Sequence, residues 1–156
     1  MQAVTGEPYG EWMKREIVDA LGLAETSPDM PLPRGVPFAS GHSSPMLLGA
    51  RQVIPGDFQT HAICPAGGFV STAGDVVRYF AQLSRSSPRS VLSVASRREM
   101  VRGQWPNPLP GVEQYYGLGI VSGALNGWDW FGHSGGLQGY ISRTACCAAR
   151  RSRSPC

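Results

Sequence analysis

The chain has 156 residues, 42% hydrophobic and 16% charged, with 20 Gly, 13 Pro and 4 Trp. This composition excludes a long coiled coil and argues against full disorder, and no run of about 18 apolar residues offers a helix to a membrane. The formal charge of +3 resides in Arg150, Arg151 and Arg153, and the rest of the sequence is balanced, so it has no basic face for nucleic acid.

The spacing predicts a helix over Pro8–Leu21, with Tyr9, Trp12, Met13, Ile17 and Leu21 on one face. Pro8 suits its first turn, Gly22 its stop, and Glu11–Arg15 a four-apart ion pair outside. Residues 24–66 read as a long connection, because seven prolines from Pro28 to Pro65 deny it a long helix or a central strand. Phe38, Met46, Leu47, Leu48 and Phe58 are expected to pack within it, and Ala50–Ile54 is a candidate strand.

Thr72 with Asp75 three residues on marks the start of a second helix, whose apolar members are Val76, Val77, Phe80, Ala81 and Leu83. A shorter helix is expected over Val91–Arg102, with Leu92, Ala95, Met100 and Val101 inward. Strands are expected at Tyr115–Ser122, Trp128–Gly132 and Gly139–Thr144, the first two joined by the Asn126–Gly127 turn.

The end of the chain is different in kind. Cys146, Cys147 and Cys156 join the three arginines there, while Cys64 alone belongs to the body. No disulfide framework or C-x-x-C pair emerges. Residues 145–156 are expected to form a disordered, basic, Cys-containing tail on a body of residues 1–144. No signal-peptide pattern follows Met1, and the compartment stays open.

The densest chemistry is Gly132-His133-Ser134-Gly135-Gly136. It matches the G-x-S-x-G elbow of α/β-hydrolases, with Ser134 as nucleophile. Against this, no helical period follows, and no His, Asp or Glu lies downstream to complete a triad. A second reading is a strand edge in an acyl-transfer site. There His133 offers a polar side chain, the glycines let substrate approach the backbone, and an N–H past the histidine serves an oxyanion hole. A third is a glycine-rich turn beside a satisfied histidine. Elsewhere the only lysine is Lys14, three residues after Glu11, so the sequence contains no S-x-x-K. His61 and Cys64 are a weak metal pair, His42 is expected to be exposed, and Pro65-Ala66-Gly67-Gly68 reads as a tight turn into the second helix rather than a phosphate cradle.

Four segments in order carry a resemblance: Val4–Ser27, Pro65–Leu83, Tyr116–Ile120 (YGLGI) and Gly132–Arg143 (GHSGGLQGYISR). Together they resemble the β-lactamase-related serine hydrolases, which include class C β-lactamases, penicillin-binding-protein-like peptidases and family VIII esterases. The resemblance implies an α+β (α/β) fold, a partial β-lactamase/transpeptidase-like arrangement of antiparallel strands packed with helices, incomplete at both ends. It implies serine acyl transfer on a β-lactam, D-amino-acid peptide or small ester, with no cofactor. His133-Ser134-Gly135 matches the family's third, K-T-G-like motif, with His133 in the lysine place, and Gly136 follows as the oxyanion-hole donor. Histidine there tilts the substrate away from a dedicated β-lactamase.

The family's S-x-x-K and Tyr-x-Asn motifs lie upstream of the part that resembles residues 4–27. The chain is therefore expected to be a C-terminal portion, inactive alone. After Arg143 the resemblance stops in an Arg-, Ala-, Ser- and Cys-rich stretch, as a shifted reading frame in a GC-rich gene would give. The alternative is a non-catalytic pseudoenzyme or partner-binding half that self-associates through open sheet edges.

Overall fold

The computed structural model describes residues 1–45, 49–56, 59–107 and 109–150, the last three as backbone only. Met46, Leu47, Leu48 and Phe58, expected to pack, lie outside the described residues, as do 151–156 of the expected tail. Among the described residues no helix is long and apolar enough to cross a membrane. The chain falls into two compact units, Met1–Val76 with Gly135–Ser142 and Val77–Ser134 with Arg143–Cys156.

In the first unit a short α1 (Gln2–Thr5) precedes the expected helix, which begins as α2 (Tyr9–Met13). It continues as a wider π-turn segment over Lys14–Asp19. The wider turn explains two departures from the four-apart pattern. Lys14 pairs with Asp19 five residues on at 2.6 Å, the spacing of i→i+5 geometry. Arg15 pairs with Glu7 and Glu16, not with Glu11. The same change in winding buries Val18, which the regular pattern leaves off the apolar face, while the five expected residues are only half-buried. Gly22 (φ 65°) ends the helix. Its N–H bonds the Asp19 carbonyl and that of Leu23 the Val18 carbonyl, the paired bonds of a Schellman stop.

The proline-rich connection is anchored at a few points. β1 (Gly41–His42) pairs antiparallel with β2 (Val53–Ile54), so only the end of the Ala50–Ile54 candidate is strand. Ser27 and Val70 exchange backbone bonds of 2.9 and 3.0 Å. The peptide before Pro31 is cis. Pro65 lies in the short α3 (Cys64–Gly67), a single turn that leads toward α4 (Ala73–Ala81).

Thr72 Oγ1 accepts the Asp75 N–H at 3.3 Å, the cap expected at the start of α4. Its inward side differs from the expected one. Val77 and Ala81 are exposed, whereas Asp75 is buried in the first unit, accepting the Glu25 N–H at 2.8 Å and the Thr26 hydroxyl at 2.9 Å. In the second unit Phe80, Gln82 and Leu83 are buried.

The third expected helix is α5 (Val94–Val101), starting later than Val91 because the Ser93 hydroxyl accepts the Ser96 N–H and caps it there. Its buried side chain is Arg97, not an apolar residue. The guanidinium donates to the carbonyls of Gln82, Ser84 and Ser87, closing the α4–α5 loop around one cation.

A five-stranded sheet follows in simple order: β3 (Trp105–Pro106), β4 (Glu113–Tyr116), β5 (Val121–Leu125), β6 (Trp128–Leu137) and β7 (Tyr140–Arg150). The expected strand Tyr115–Ser122 is broken after Tyr116. Gly117 N–H bonds the Ile120 carbonyl at 2.7 Å, and Gly119 has positive φ, so residues 117–120 form the turn between β4 and β5. β7 continues past Thr144 through Arg150, so the backbone of 145–150 is strand. Main-chain pairing asks little of side chains, and small Ala and Cys residues do not obstruct it. Helices with antiparallel strands are the architecture the sequence led us to expect.

Candidate active site

Asn126 (φ 50°) and Gly127 (φ 79°) both adopt positive φ, the requirement of a two-residue type I′ hairpin turn. That turn sets Leu125 opposite Trp128 and, counting back, Val121 opposite Gly132. There the β5 ladder ends. His133–Leu137 extend β6 beyond it with no β5 partner, leaving that side's backbone N–H and C=O groups unladdered. Ser134 sits inside this strand, with no strand-to-helix turn after it, which removes the geometry a nucleophile elbow requires. Alternation sends His133 and Gly135 to one face and Ser134 and Gly136 to the other.

The glycines around His133 differ in what they permit. A Cβ at Gly132 would lie 1.9 Å from the Thr144 carbonyl oxygen, so the approach of β6 to β7 demands glycine. A Cβ at Gly135 would meet Ser142 Oγ at 2.8 Å. Among the described residues a Cβ at Gly136 would meet nothing within 4 Å, and φ is not positive, so neither the described packing nor the backbone demands glycine there.

His133 has a partner that the sequence reading did not include. Tyr116 Oη lies 2.9 Å from His133 Nε2, with the two rings edge-to-face at a centroid separation of 5.7 Å. Tyr116 opens the YGLGI segment and ends β4, and only that placement at a strand end hinted at it.

Within the first unit, an open groove of about 890 Å³ is lined by His42, Ser44, Arg51 and Ile54 on one side and by residues 136–141 on the other. The turn at Gly139 (φ 81°) lies tight on β1: His42 N–H bonds the Gly139 carbonyl at 3.1 Å, and a Cβ on Gly139 would strike Gly41 Cα at 2.8 Å. Tyr140 Oη donates to the Ala39 carbonyl at 2.9 Å. Among the described residues Arg51 makes no hydrogen bond or ion pair. His42 is exposed, as expected, with Nδ1 3.1 Å from the Ser40 carbonyl oxygen.

His61 Nδ1 lies 2.7 Å from the Asp29 carboxylate, and Cys64 is buried. Among the described residues no group of three His, Cys, Asp or Glu is placed to hold a metal. Asp29 also accepts the Thr60 hydroxyl and the Met30 N–H, the latter at 2.7 Å. Burial works against its charge, but the bonds from Thr60, His61 and Met30 outweigh that and hold the carboxyl below its ordinary value. Burial, and then the Asp29 charge, push the Cys64 thiol up.

Known proteins bear on this arrangement. A D-stereospecific amidohydrolase from Streptomyces sp. superposes with a TM-score of 0.74 at 24% identity, over 94% of this chain and 42% of that one. A structure of the octameric penicillin-binding protein homologue from Pyrococcus abyssi gives 0.78 at 19%, over 96% and 33%. The D-amino acid amidase from Ochrobactrum anthropi SV3, complexed with L-phenylalanine amide, gives 0.68 at 23%, over 90% and 40%. The chain thus spans between 33% and 42% of the length of these structures. Such identities show a shared β-lactamase/transpeptidase fold. Among curated protein sequences none matches. The profile described as Beta-lactamase matches residues 1–149, nearly the whole sequence, and the chain belongs to the Beta-lactamase family.

Proposed function

We propose that this chain forms the third-motif part of a serine hydrolase that acts by acyl transfer on an amide or ester, in the class of β-lactams, D-amino-acid amides and peptides, or small esters. The observation that carries the reading is the free stretch of β6. The ladder to β5 ends at Gly132, so on that side the stretch His133–Leu137, which begins with a histidine, has no ladder partner among the described residues. A substrate carbonyl or amide can pair with such an edge, and the Gly136 N–H supplies an oxyanion-hole arm. Gly136 supports this because, among the described residues, its missing side chain leaves open space. Ser134 and Gly135 complete the motif as the backbone between His133 and that donor. The amide-cleaving neighbours tilt the substrate toward D-amino-acid amides.

These 156 residues hold no S-x-x-K, so nucleophile and base come from outside them, and the chain alone is inactive. Incubation with nitrocefin, p-nitrophenyl butyrate and a D-amino-acid anilide should give no turnover. Turnover that survives repurification and is lost in His133→Ala would overturn the inactivity. Titration of a D-amino-acid amide into labelled chain should shift the Gly136 amide and the His133 ring. Saturable binding that moves neither defeats the site assignment.

A second reading, a partner-binding half, rests on β7. It ends the sheet order with eleven residues, and no strand lies beyond it among the described residues. Such edges pair with other strands, including a second copy. A monomer at every concentration in analytical ultracentrifugation counts against it.

A further inference from the structure

We infer that Tyr116 is the positioning residue for His133: its hydroxyl donates to Nε2 and holds the neutral ring in the Nδ1–H form, leaving Nδ1–H as the donor offered to a substrate oxygen. The inference rests on the proposed role of His133 and deepens it.

The contact is 2.9 Å and joins two side chains that both reach solvent, Tyr116 with 38% of its surface exposed. Water could satisfy either group, so burial does not force the bond. Direction follows from chemistry. The phenol oxygen shares its lone pairs with the ring and is a weak acceptor, whereas the bare imidazole nitrogen is a strong one, so O–H to N is the better bond. The rings' edge-to-face contact restrains the imidazole from turning over.

The root of the phenol is held firmly. Tyr116 pairs with Trp105 on one side and Val121 on the other, and its carbonyl accepts the Gln104 N–H at 2.9 Å. The next residue, Gly117, lies so close to the Met100 and Arg102 carbonyl oxygens that a Cβ would sit 2.7 Å from each. Leu118 N–H also bonds the Met100 carbonyl, at 3.2 Å. The phenol therefore leaves a fixed strand end and reaches across the end of β5, where the ladder to β6 has stopped. Nε2 is occupied, and among the described residues Nδ1 has no hydrogen-bond partner. This arrangement selects which nitrogen faces a ligand, the detail on which histidine chemistry turns.

The test is a long-range ¹H–¹⁵N correlation spectrum of the imidazole rings in labelled chain, at a pH where His133 is neutral. We expect Nδ1 protonated in wild type and a shift toward the Nε2–H form in Tyr116→Phe, with the remaining backbone amides unmoved. Wild type in the Nε2–H form overturns the inference, as does a tautomer unchanged in Tyr116→Phe. If the variant fails to fold, the wild-type tautomer decides alone. Binding of a D-amino-acid amide should weaken about fivefold in Tyr116→Phe, the size expected of one hydrogen bond. If that ligand does not bind wild type, the proposed function falls while the tautomer still decides the contact.

Discussion

Gly132 and Gly136 stand four residues apart on one strand and answer to different demands. The first is required by its surroundings, since a Cβ there would lie 1.9 Å from the Thr144 carbonyl oxygen. At the second, a Cβ would meet nothing within 4 Å among the described residues. The β5 ladder separates them, reaching Gly132 and stopping. One glycine thus serves the approach of two strands, and the other answers to no such approach among the described residues. A motif rich in glycine is therefore two features in one stretch of sequence.

The largest expected effect breaks the first half of this contrast. Gly132→Ala should destabilise the chain by about 3 kcal/mol, through forced separation of β6 and β7, read as a lower urea midpoint. An unchanged midpoint would show that the strands have slack.

Next in size is a buried polar site that the fold demands in the same sense. Asp29→Ala removes the acceptor of the Thr60 hydroxyl and one of the two acceptors of the Met30 N–H, the other being Thr60 Oγ1, and should cost about 2 kcal/mol at neutral pH. Because the folded carboxyl is held below its ordinary value, its contribution is fully present above the unfolded pKa of about 4. It is lost as pH falls through the folded value. Wild type and variant should converge in stability toward acid, and parallel pH–stability curves would contradict this.

A smaller loss, about 1 kcal/mol, is expected from Ser93→Ala, which removes the cap of α5. Thermal melts should register it, and no shift would mean that α5 is held by Arg97 instead.

The smallest effect on stability sharpens the other half. Gly136→Ala should leave stability within about 0.5 kcal/mol of wild type, or raise it slightly by restricting the unfolded chain. The same variant should weaken binding of a D-amino-acid amide. A large destabilisation would return Gly136 to the class of Gly132.

Local signals were legible where local physics decides the outcome. Gly22 stops the first helix in its left-handed conformation, Thr72 caps α4, and Asn126–Gly127 makes the turn that sets the register of β6. Periodicity was a poorer guide to which side is covered. Val77 and Ala81 match an apolar face and are exposed, while Asp75, Gln82 and Arg97 are buried with hydrogen-bond partners from elsewhere in the chain. The wider turn at Lys14–Asp19 brings in Val18 against the regular count.

By itself the sequence determined the class of fold, the family and the residues His133 to Gly136 as the place to look. These depend on short-range order: spacing, turn chemistry and a motif. Only the tertiary structure decided that the β5 ladder ends at Gly132, that a Cβ at Gly136 meets no described residue within 4 Å, and that Tyr116 bonds His133. A local turn fixes register, but where a ladder stops and which side chain reaches across it depend on how segments beyond the turn pack.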